Sequence, residues 1–551
     1  MSKLPAVRPT MIDRVVMHFA PAKGLQRLKA RALLANAGHG YDGASRTGRF
    51  MKRWVPLGGS ADADTLPDLP TLRARSRDLV RNEPIATGAI ATRVTNVVGE
   101  GLCLQASIDH EVLGITEEQA DAYERENERE WQVFCRTADL SGVQHLDELA
   151  ALCERSAAES GDTFVFRRYK KRAGDVYGTK LQLIEADRVC NPKGLKDGKL
   201  ATGGRLAGGL KFDDDGMPVS ANVLNRHPGN ITLAEPRDWQ EIPFRTRDGR
   251  QTAIHLFERL RPEQTRGVPY LAPIIEHLHK LGKYSDAEVS AAVVSAMYTL
   301  IIETPQDEDG APIAGEKSDD LNDNEVSLGV GAAISLAPGE KASFANPSRP
   351  NPQFDAFYTA FLRQIGVALE LPFELLIKHF TASYSASRAA LEMAWQFFRR
   401  RRASLARNFY HVVYSWMMEE AVASGRLDRP GFFDDPVIRE AWLGAEWIGP
   451  SRASLNPYQE AQADALDIET GVKTREQVCM ERTGGEVEKK ISQLGKEQRM
   501  RDEAGLGAPA ASSGSQPQQQ NGNSAANEPD ADDAGDAEDE TQPAKKGART
   551  A

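Results

Sequence analysis

The amino-acid sequence predicts an α+β protein in which a β-rich segment lies between long helical segments. Apolar residues recur at intervals of three and four through residues 66–98, 273–300 and 391–421, which is helical spacing. Short runs of β-branched and aromatic residues instead cluster between residues 160 and 260. A chain of 551 residues is also long enough to bury a sizeable core and to form several structural units.

Formal charge is unevenly distributed along the chain. The net charge is −11, yet the first 55 residues contain only Asp13 and Asp42 as acids among many Lys and Arg. The C-terminal end is acidic from Glu528 to Glu540. This asymmetry is typical of interaction arms, although two solvated ends would also account for it. We expect a basic N-terminal arm over residues 1–60 and a disordered acidic tail over residues 504–551.

The chain is predicted to be mainly helical between residues 66 and 160. The stripe over 66–98 is interrupted at Pro84 and ends at Gly99 and Gly101, which suit helix C-caps. A short alternating strand is expected at 102–106. Helices are then predicted over Glu117–Cys135 and 147–160.

A β-hairpin is the clearest element between residues 160 and 260. Strands are predicted at residues 164–166, 181–189, 209–212, 219–224 and 252–256. Three Asp residues and Gly216 separate two of these strands, and Asp-Gly sequences favour hairpin turns. A calcium loop is the other interpretation, but Lys211 and Asn222 then stand where ligand carboxylates are needed. We therefore predict a turn.

Helical periodicity returns at Pro273 and continues to Leu300. A second helix is predicted over 354–371, ended by Pro372. The strongest stripe runs from Leu391 to Ala421, which predicts a helix of about 35 residues with Arg402 as the charged residue in register. Three shorter helices are expected over 455–503, one of them opened by a capping box at 474–477.

The sequence lacks the motifs that usually carry catalysis or bind a cofactor. It has no phosphate-binding loop and no nucleophile elbow, and Gly329 and Gly331 lack the third glycine of a dinucleotide loop. Five cysteines without a C-x-x-C pair indicate reduced thiols. No apolar run reaches membrane-spanning length, and no signal peptide is expected. We predict no catalytic residue, no metal, no cofactor and no membrane contact.

Glu276, His277 and His279 are the candidates for a metal site. Residues 276 and 279 share a helix face, as ligands at positions i and i+3 can. The sequence offers no evident third ligand, and histidines on helices are more often solvated or hydrogen-bonded. We therefore disfavour metal binding here.

The sharpest basic cluster is the run Arg399, Arg400, Arg401 and Arg402. Contact with nucleic-acid phosphates is one interpretation of this run. The alternative, which we favour, is a charged helix face that stays in water or pairs with acids of a neighbouring subunit.

Five stretches, in order, resemble the portal proteins of lambda-like tailed phages. They are YDGAS at 41–45, ARSRDLVRNEP at 74–84 with NVVGEGL at 96–102, HLF at 255–257 with RPEQTRGVP at 261–269, SYSASRAA at 383–390, and NPYQE at 456–460. The resemblance covers nearly everything from residue 40 to residue 490 and leaves out the tail. It implies a non-enzymatic subunit of a ring through which DNA enters and leaves the capsid.

The resemblance also implies a funnel-shaped subunit with a β-containing wing, a long helical stem, a clip and a helical crown. On this sequence the layout is 1–60 basic arm, 61–270 wing, 271–301 first stem helix, 302–349 clip, 350–372 second stem helix, 373–385 tunnel loop, 386–454 long wing helix and return, 455–503 crown helices, and 504–551 acidic tail. A ring of about twelve subunits is what the family implies, because a sequence does not count subunits.

The same layout implies a tunnel loop that faces the channel. Its candidate residues are His379, Phe380, Thr381, Ser383 and Tyr384. The other interpretation is an ordinary connection whose Ser and Thr residues cap the next helix.

Two further groups of site residues follow from the layout. Arg266, Gly267 and Pro269 form the wing–stem elbow, where Gly allows a sharp turn and Pro suits an early helix position. Arg388 joins the run 399–402 as a basic cluster that faces DNA or a neighbouring subunit.

The partners that the resemblance implies are other copies of the chain, the terminase large subunit, head–tail adaptors, the major capsid or scaffold protein, and double-stranded DNA that passes without sequence-specific binding. It places the protein at a capsid vertex of the virion, and in the host cytoplasm during assembly. Two other classes stay open: a monomeric DNA-binding adaptor that uses residues 399–402, and a metal-dependent phage hydrolase built on Glu276, His277 and His279.

Overall fold

A computed structural model of the chain describes residues 10–37, 51, 53–201, 203–230, 236–296, 300–303, 341–344, 353–380, 383–451, 457–483 and 487–505. The described residues form a mixed α and β structure, as predicted. The chain divides into one unit that ends at Val487 and a second unit that begins at Glu488.

Helices dominate the chain before the sheets begin. Their bounds are α1 (Met11–Phe19), α2 (Pro21–Ala37), α3 (Ala61–Thr65), α4 (Leu69–Asn82), α5 (Pro84–Val97), α6 (His110–Leu113), α7 (Glu117–Cys135) and α8 (Leu146–Ser160), with strand β1 (Cys103–Ala106) after α5. The predicted break at Pro84 is confirmed, because this residue opens α5, where a missing N–H loses no hydrogen bond. Gly99 has a φ of 60° just past the end of α5, as expected for a C-cap.

Two antiparallel sheets follow between residues 162 and 257. Their strands are β2 (Asp162–Tyr169), β3 (Thr179–Glu185), β4 (Gly198–Lys199), β5 (Arg205–Ala207), β6 (Leu210–Phe212), β7 (Pro218–Leu224), β8 (Trp239–Pro243) and β9 (Ala253–Phe257). The strand orders are β3-β2-β9 and β4-β5-β6-β7-β8. The predicted hairpin is β6–β7, and in its turn Asp213 Oδ1 accepts hydrogen bonds from the N–H groups of Asp215 and Met217 at 3.1 and 2.7 Å.

Strand β2 is buried on both faces and joins two cores. Phe164 and Phe166 pack into a smaller core with residues of the second sheet. Val165 packs into a larger core that the helices supply, with Trp131 and Trp416 among its members. Since successive side chains of a strand point to opposite faces, one short apolar strand serves both cores.

Helices return after the sheets. The elements are α9 (Ile275–Ala296), β10 (Leu300–Glu303), β11 (Lys341–Phe344), α10 (Phe354–Ala368), α11 (Phe373–Ile377), α12 (Tyr384–Leu405), α13 (His411–Ala423), α14 (Pro436–Trp442), β12 (Ala445–Ile448), α15 (Pro457–Glu469), α16 (Arg475–Thr483) and α17 (Val487–Glu503). A π-helical turn at Ala406–Tyr410 joins α12 to α13. The predicted capping box is confirmed, because Thr474 and Gln477 exchange hydrogen bonds of 3.0 and 3.1 Å.

An antiparallel ladder between β1 and β12 connects distant parts of the chain. Cys103–Ala106 pair with Ala445–Ile448, and Tyr410 in the π-helical turn also binds the N–H of Leu102 at 3.3 Å. The long helical segment from α12 to α13 is therefore part of the same body as helices α4 to α8.

Several boundaries differ from the predictions. The helix expected to reach residue 371 ends at Ala368, and Glu370 takes a left-handed φ of 53°. The segment 373–385, predicted as a loop, contains α11 and the start of α12, and among its described residues only 378–380 and Ser383 lie outside these helices. Strand β8 was missed because it is a short, mostly exposed edge strand. Gly329 and Gly331 lie outside the described residues.

Candidate functional site

The elbow residue Arg266 belongs to a buried ionic cluster centred on Asp162. Asp162 is the first residue of β2, and its side chain is fully buried. Arg266 donates through Nε and Nη2 to the two carboxylate oxygens at 2.5 and 3.2 Å. Arg73 of α4 donates to the same carboxylate at 2.8 Å. These residues, together with His255 of β9, are called the Asp162 cluster below.

His255 completes the Asp162 cluster from the neighbouring strand. Its Nε2 lies 3.1 Å from Asp162 Oδ2, and its ring stacks between Phe164 and Phe257 with centroid distances of 4.2 and 4.3 Å. The remaining donors of Arg266 bind main-chain carbonyl oxygens, those of Ala186, Val189 and Gly208. All five N–H donors of this guanidinium are therefore used, as a buried charge requires.

Electrostatics fix the charge states in the cluster. Burial alone would raise the pKa of Asp162, but the charges of Arg266 and Arg73 hold this pKa far below its usual range. Burial lowers the pKa of Arg73 to about 10, against the opposing attraction of Asp162. Burial also lowers the pKa of His255, despite its hydrogen bond to Asp162. At neutral pH the cluster thus holds a carboxylate and a neutral imidazole.

Two glycines, Gly161 and Gly267, allow the backbone of the predicted elbow to pack closely against the end of α8. A Cβ atom on Gly267 would lie 1.9 Å from the carbonyl oxygen of Gly161, and one on Gly161 would lie 2.4 Å from that of Gly267. Gly161 has a φ of 92°, whereas Gly267 is outside the left-handed region. Glycine is therefore required at 267 for the close approach of two backbones, rather than for the sharp turn expected from the sequence.

Pro269 lies ahead of the helix and not in its first turn. Its carbonyl oxygen accepts a hydrogen bond from Ala272 at 2.9 Å, and a 3-10 turn at Ala272–Ile274 leads into α9. Pro273 occupies the early helical position that was expected for Pro269.

Tyr270 connects the ends of the two long helices α9 and α10. Its hydroxyl donates to the carbonyl oxygen of Leu369, just past the end of α10. Its ring lies 6.1 Å from that of Phe397 in α12 and 4.5 Å from the guanidinium of Arg93 in α5. Arg93 donates to Glu154 of α8 at 2.8 Å. One end of the helix pair is thus fixed to three other helices.

Helices α9 and α10 pack as an antiparallel pair through aromatic rings. Tyr284 lies 5.5 Å from Phe354 and 5.1 Å from Phe357, while His277 lies 6.3 Å from Phe361. Early positions of α9 therefore meet late positions of α10, which requires opposite directions.

The residues of the alternative metal site have other contacts. Glu276 pairs with Lys280 at 2.5 Å, and His277 packs beside Phe361. Within the described part of the chain, no group of three or more His, Cys, Asp or Glu residues is placed to hold a metal ion.

Of the residues expected in the tunnel loop, His379 and Phe380 follow α11 and Ser383 precedes α12. Lys378 has a φ of 56°, which is uncommon for a residue other than glycine, and Lys378, His379 and Phe380 are exposed. Ser383 occupies the N-cap of α12 but makes no capping hydrogen bond with its side chain. Thr381 and the side chain of Tyr384 lie outside the described residues.

Comparison with known proteins decides the family. The family described as phage portal protein, lambda family, matches residues 47–402, which is more than half of the chain. The chain belongs to this family.

Two of the similar proteins are portal proteins of phages. Portal protein B of Escherichia phage lambda is 27% identical over 495 residues, covering 85% of this chain and 91% of that protein. The portal protein of Escherichia phage N15 is 26% identical over 496 residues, covering 85% and 92%. A chain from the neck of an empty GTA particle is 14% identical, covers 80% of this chain and 99% of that chain, and has a TM-score of 0.45.

The resemblance inferred from five stretches of sequence is confirmed by these matches. The chain is a portal protein of a tailed phage, and its family is structural rather than enzymatic. Among the described residues, no helix combines the length and apolar character that a membrane span needs.

Part of the predicted basic cluster is bound inside the portal subunit. Arg401 donates to Glu258 at 2.9 Å. Arg402 donates to the carbonyl oxygens of Asn96 and Val97 at 2.9 and 3.3 Å, and burial lowers its pKa to about 10. These two arginines connect α12 to the rest of the subunit.

The other members of the cluster lie at the surface of the portal subunit. Arg400 pairs with Glu370 at 3.0 Å, and both side chains are more than half exposed. Arg388 and Arg399 are exposed as well. A surface role therefore stays a prediction for Arg388, Arg399 and Arg400.

Asp162 and Arg73 carry no sequence signal that singles them out, and His255 is marked only as part of the family-like stretch HLF at 255–257. An acid at the start of an apolar strand and a histidine within an alternating strand are weak hints. Arg73 and Asp162 are 89 residues apart, and no sequence periodicity joins residues so distant.

Gly267→Ala is expected to lower the free energy of unfolding by about 1–3 kcal/mol, because the new Cβ must displace the Gly161 carbonyl. Gly88→Ala is the control, since a Cβ there meets no atom within 4 Å, and it should be neutral or stabilise α5 by up to about 1 kcal/mol. Urea denaturation followed by circular dichroism measures both. Equal stabilities of the two variants would contradict the backbone contact.

Asp162→Asn is expected to destabilise the subunit by about 3–5 kcal/mol, because two buried guanidinium groups lose their counter-charge. Asp248→Asn removes an exposed pair with Arg250 and should change stability by less than about 1 kcal/mol. Urea midpoints of both variants provide the measurement. A loss no larger than that of the control would show that the cluster is not a structural constraint.

His255 is expected to make stability depend on pH. Because its pKa is lowered by folding, the stability it contributes is present above the unfolded pKa of about 6.5 and is lost as pH falls. Stability should therefore drop from pH 7 to pH 5, and less so in His255→Gln. His411, whose pKa burial also lowers, accounts for a remaining slope. The control is exposed His279→Gln; if both variants match the wild type, the assignment fails.

Proposed function

We propose that this portal protein forms a closed ring of about twelve subunits at one capsid vertex, through which double-stranded DNA is packaged and ejected. The observation that carries the proposal is the burial gradient along α9. Ile275, Leu278 and Leu281 near its start are buried, whereas Val289 and Val293 further along are exposed. The helix pair α9–α10 thus leaves the core of its own subunit.

Exposed valines on such a helix offer an apolar surface, and contact with another surface would remove them from water favourably. In a ring, each α9–α10 pair lies against the pair of the next subunit, and the pairs together surround a pore. Contacts of this head-to-tail type close into a ring when the rotation between subunits allows it.

Passage of DNA through the pore requires weak binding to the wall. A bore lined by free arginines would hold the phosphate backbone by electrostatic attraction. Binding of Arg401 and Arg402 within the subunit, and the net charge of −11, agree with a conduit. In this proposal the constriction is formed by the tunnel-loop residues His379, Phe380, Thr381, Ser383 and Tyr384.

The remaining assignments belong to the same proposal. The wing consists of 61–270 and 386–454, the stem of 271–301 and 350–372, the tunnel loop of 373–385, and the crown of 455–503. The clip is 302–349, most of which lies outside the described residues, and the ladder β10–β11 stands at its base. The elbow is formed by Arg266, Gly267 and Pro269, and the Asp162 cluster holds it.

The clip docks the terminase large subunit during packaging and the head–tail adaptors afterwards. The energy for packaging comes from the terminase, because this sequence has no phosphate-binding loop. The basic arm over 1–60 contacts capsid or scaffold protein. The protein acts at the virion vertex and assembles in the host cytoplasm.

Negative-stain electron microscopy of the purified chain, with light scattering for mass, tests the ring. Rings with a central hole and a mass near twelve subunits are expected. A monomer that persists at high concentration and with scaffold protein present would contradict the ring and favour a monomeric DNA-binding adaptor.

The double variant Val289→Glu and Val293→Glu is expected to remain monomeric, because carboxylates buried between helix pairs would lose hydration without a partner. Met217→Glu, on the exposed turn between β6 and β7, is the matched control and should form rings. The same two measurements report the result. Rings formed by the double variant would show that these valines do not face a neighbour.

A further inference from the structure

The N-terminal helices α1 and α2 form a hairpin that is held together by polar contacts. Asp13 is fully buried, accepts hydrogen bonds from the N–H and hydroxyl of Thr10 at 3.0 and 2.6 Å, and pairs with Arg27 of α2 at 3.4 Å. The helices approach closely where Gly24 meets Met17, since a Cβ on Gly24 would lie 2.5 Å from Met17 Cγ. The inner face of α1 therefore carries Asp13 and Met17.

Four other apolar side chains of α1 are on the opposite face. Met11, Ile12, Val15 and Phe19 recur at intervals of three and four, and at 100° per residue they centre about half a turn from Asp13 and Met17. All four are exposed, Met11 and Phe19 by 85% and 83%. Within the part of the subunit that the structure describes, this outer stripe stays uncovered, so it marks a surface for a partner.

The hairpin is also strongly basic. Residues 10–37 contain Arg14, Lys23, Arg27, Lys29 and Arg31, with Asp13 as the single acid, which gives +5 − 1 = +4 against −11 for the whole chain. Arg14, next to Val15, borders the outer stripe and is exposed. A partner surface should therefore be apolar at its centre and acidic at its edge.

One exposed surface of the same chain has this character. Between the end of α13 and the first turn of α14, Phe433 and Val437 are 51% and 62% exposed. Asp434 and Asp435 lie between them in sequence, Glu440 follows one turn later, and these acids are exposed too. We call residues 433–440 the acidic corner.

From these two surfaces we infer that the α1–α2 hairpin of one subunit docks on the acidic corner of a second copy of this chain. Within one subunit both surfaces are exposed, so they do not cover each other. The hairpin of a second copy is a poor partner for the outer stripe, because two hairpins with a net charge of +4 each repel one another. The C-terminal acidic tail is also a poor partner for the outer stripe, because residues 528–540 contain no large apolar side chain.

The contact rests on the proposed ring and deepens it. The hairpin contributes four apolar side chains to this contact and the acidic corner contributes two. A standard interface has roughly 20–30 residues per side, so this contact does not hold two subunits together by itself. In a ring it is repeated at every junction, and each repeat acts at the high local concentration that the other contacts create. The hairpin is thus a clamp across subunit junctions, and contact with capsid or scaffold protein is left to the residues of the basic arm outside the hairpin.

Cysteine cross-linking in the full chain tests the clamp. The double variant Phe19→Cys and Val437→Cys is treated with a short bismaleimide, and each single variant and the wild type serve as controls for the natural cysteines. Negative-stain images are taken of every sample. The expected result is rings in all samples and a ladder of covalent multimers in the double variant alone, at least about fivefold above either single variant.

The other results are equally informative. Rings without a ladder in the double variant would overturn the clamp and leave the ring in place. Absence of rings in the wild type would overturn the proposed function, and the clamp with it. Flotation of the wild type with vesicles of phosphatidylglycerol, lost in Phe19→Glu, together with no ladder, would assign the stripe to a lipid surface and overturn the clamp.

Charge reversal provides a second test. Restoration of cross-linking by the combined reversal distinguishes a lost charge pair from a single variant that fails to fold. Arg14→Glu and Asp434→Arg, each added to the cysteine pair, should lower the cross-linked fraction at least about threefold. Both reversals together should restore it to within about twofold of the unreversed pair. Equal losses in the single and the combined reversals would contradict direct pairing of these two edges.

Discussion

The carboxylate of Asp162 is the constraint on which the arrangement of this portal subunit depends. It meets Arg73 of α4, His255 of β9 and Arg266 of the predicted elbow, and each of these three side chains is at most 8% exposed. Such a cluster adds little net stability compared with apolar packing, but any arrangement that separates its members leaves a buried charge unpaired. Helix, sheet and elbow are therefore confined to one relative placement.

The consequence of this placement is a helix pair with one fixed end and one exposed end. The elbow leads within a few residues from Arg266 to Tyr270, which binds the end of α10 and packs against Arg93 and Phe397. Beyond Leu281 the burial of α9 decreases, and its valines face outward. A fixed start and an exposed later part of α9 suit a subunit in which this helix packs against neighbouring subunits.

Charge has two separate uses in this chain. Arginines of α12 that the sequence predicted to form a charged surface face are instead partly bound within the subunit, to Glu258 and to main-chain carbonyl oxygens of α5. The N-terminal hairpin, far from that helix in sequence, carries a local excess of positive charge, with five basic residues and one acid. The candidate site was thus only partly predictable. The arginine run 399–402 can be read directly from the sequence, but the partners of Arg401 and Arg402 lie more than a hundred residues away in the chain.

The sequence by itself determined most of the long helices, the β6–β7 turn, the break at Pro84, the capping box at Thr474 and the family, because all of these depend on residues close together or on stretches in order. Only the tertiary structure decided why Gly267 must be glycine, which partners Asp162 has, that α11 interrupts a predicted loop, and which arginines face inward. The physical reason is that local patterns set backbone conformation, whereas burial, close backbone approach and ion pairing arise from segments that meet only after folding.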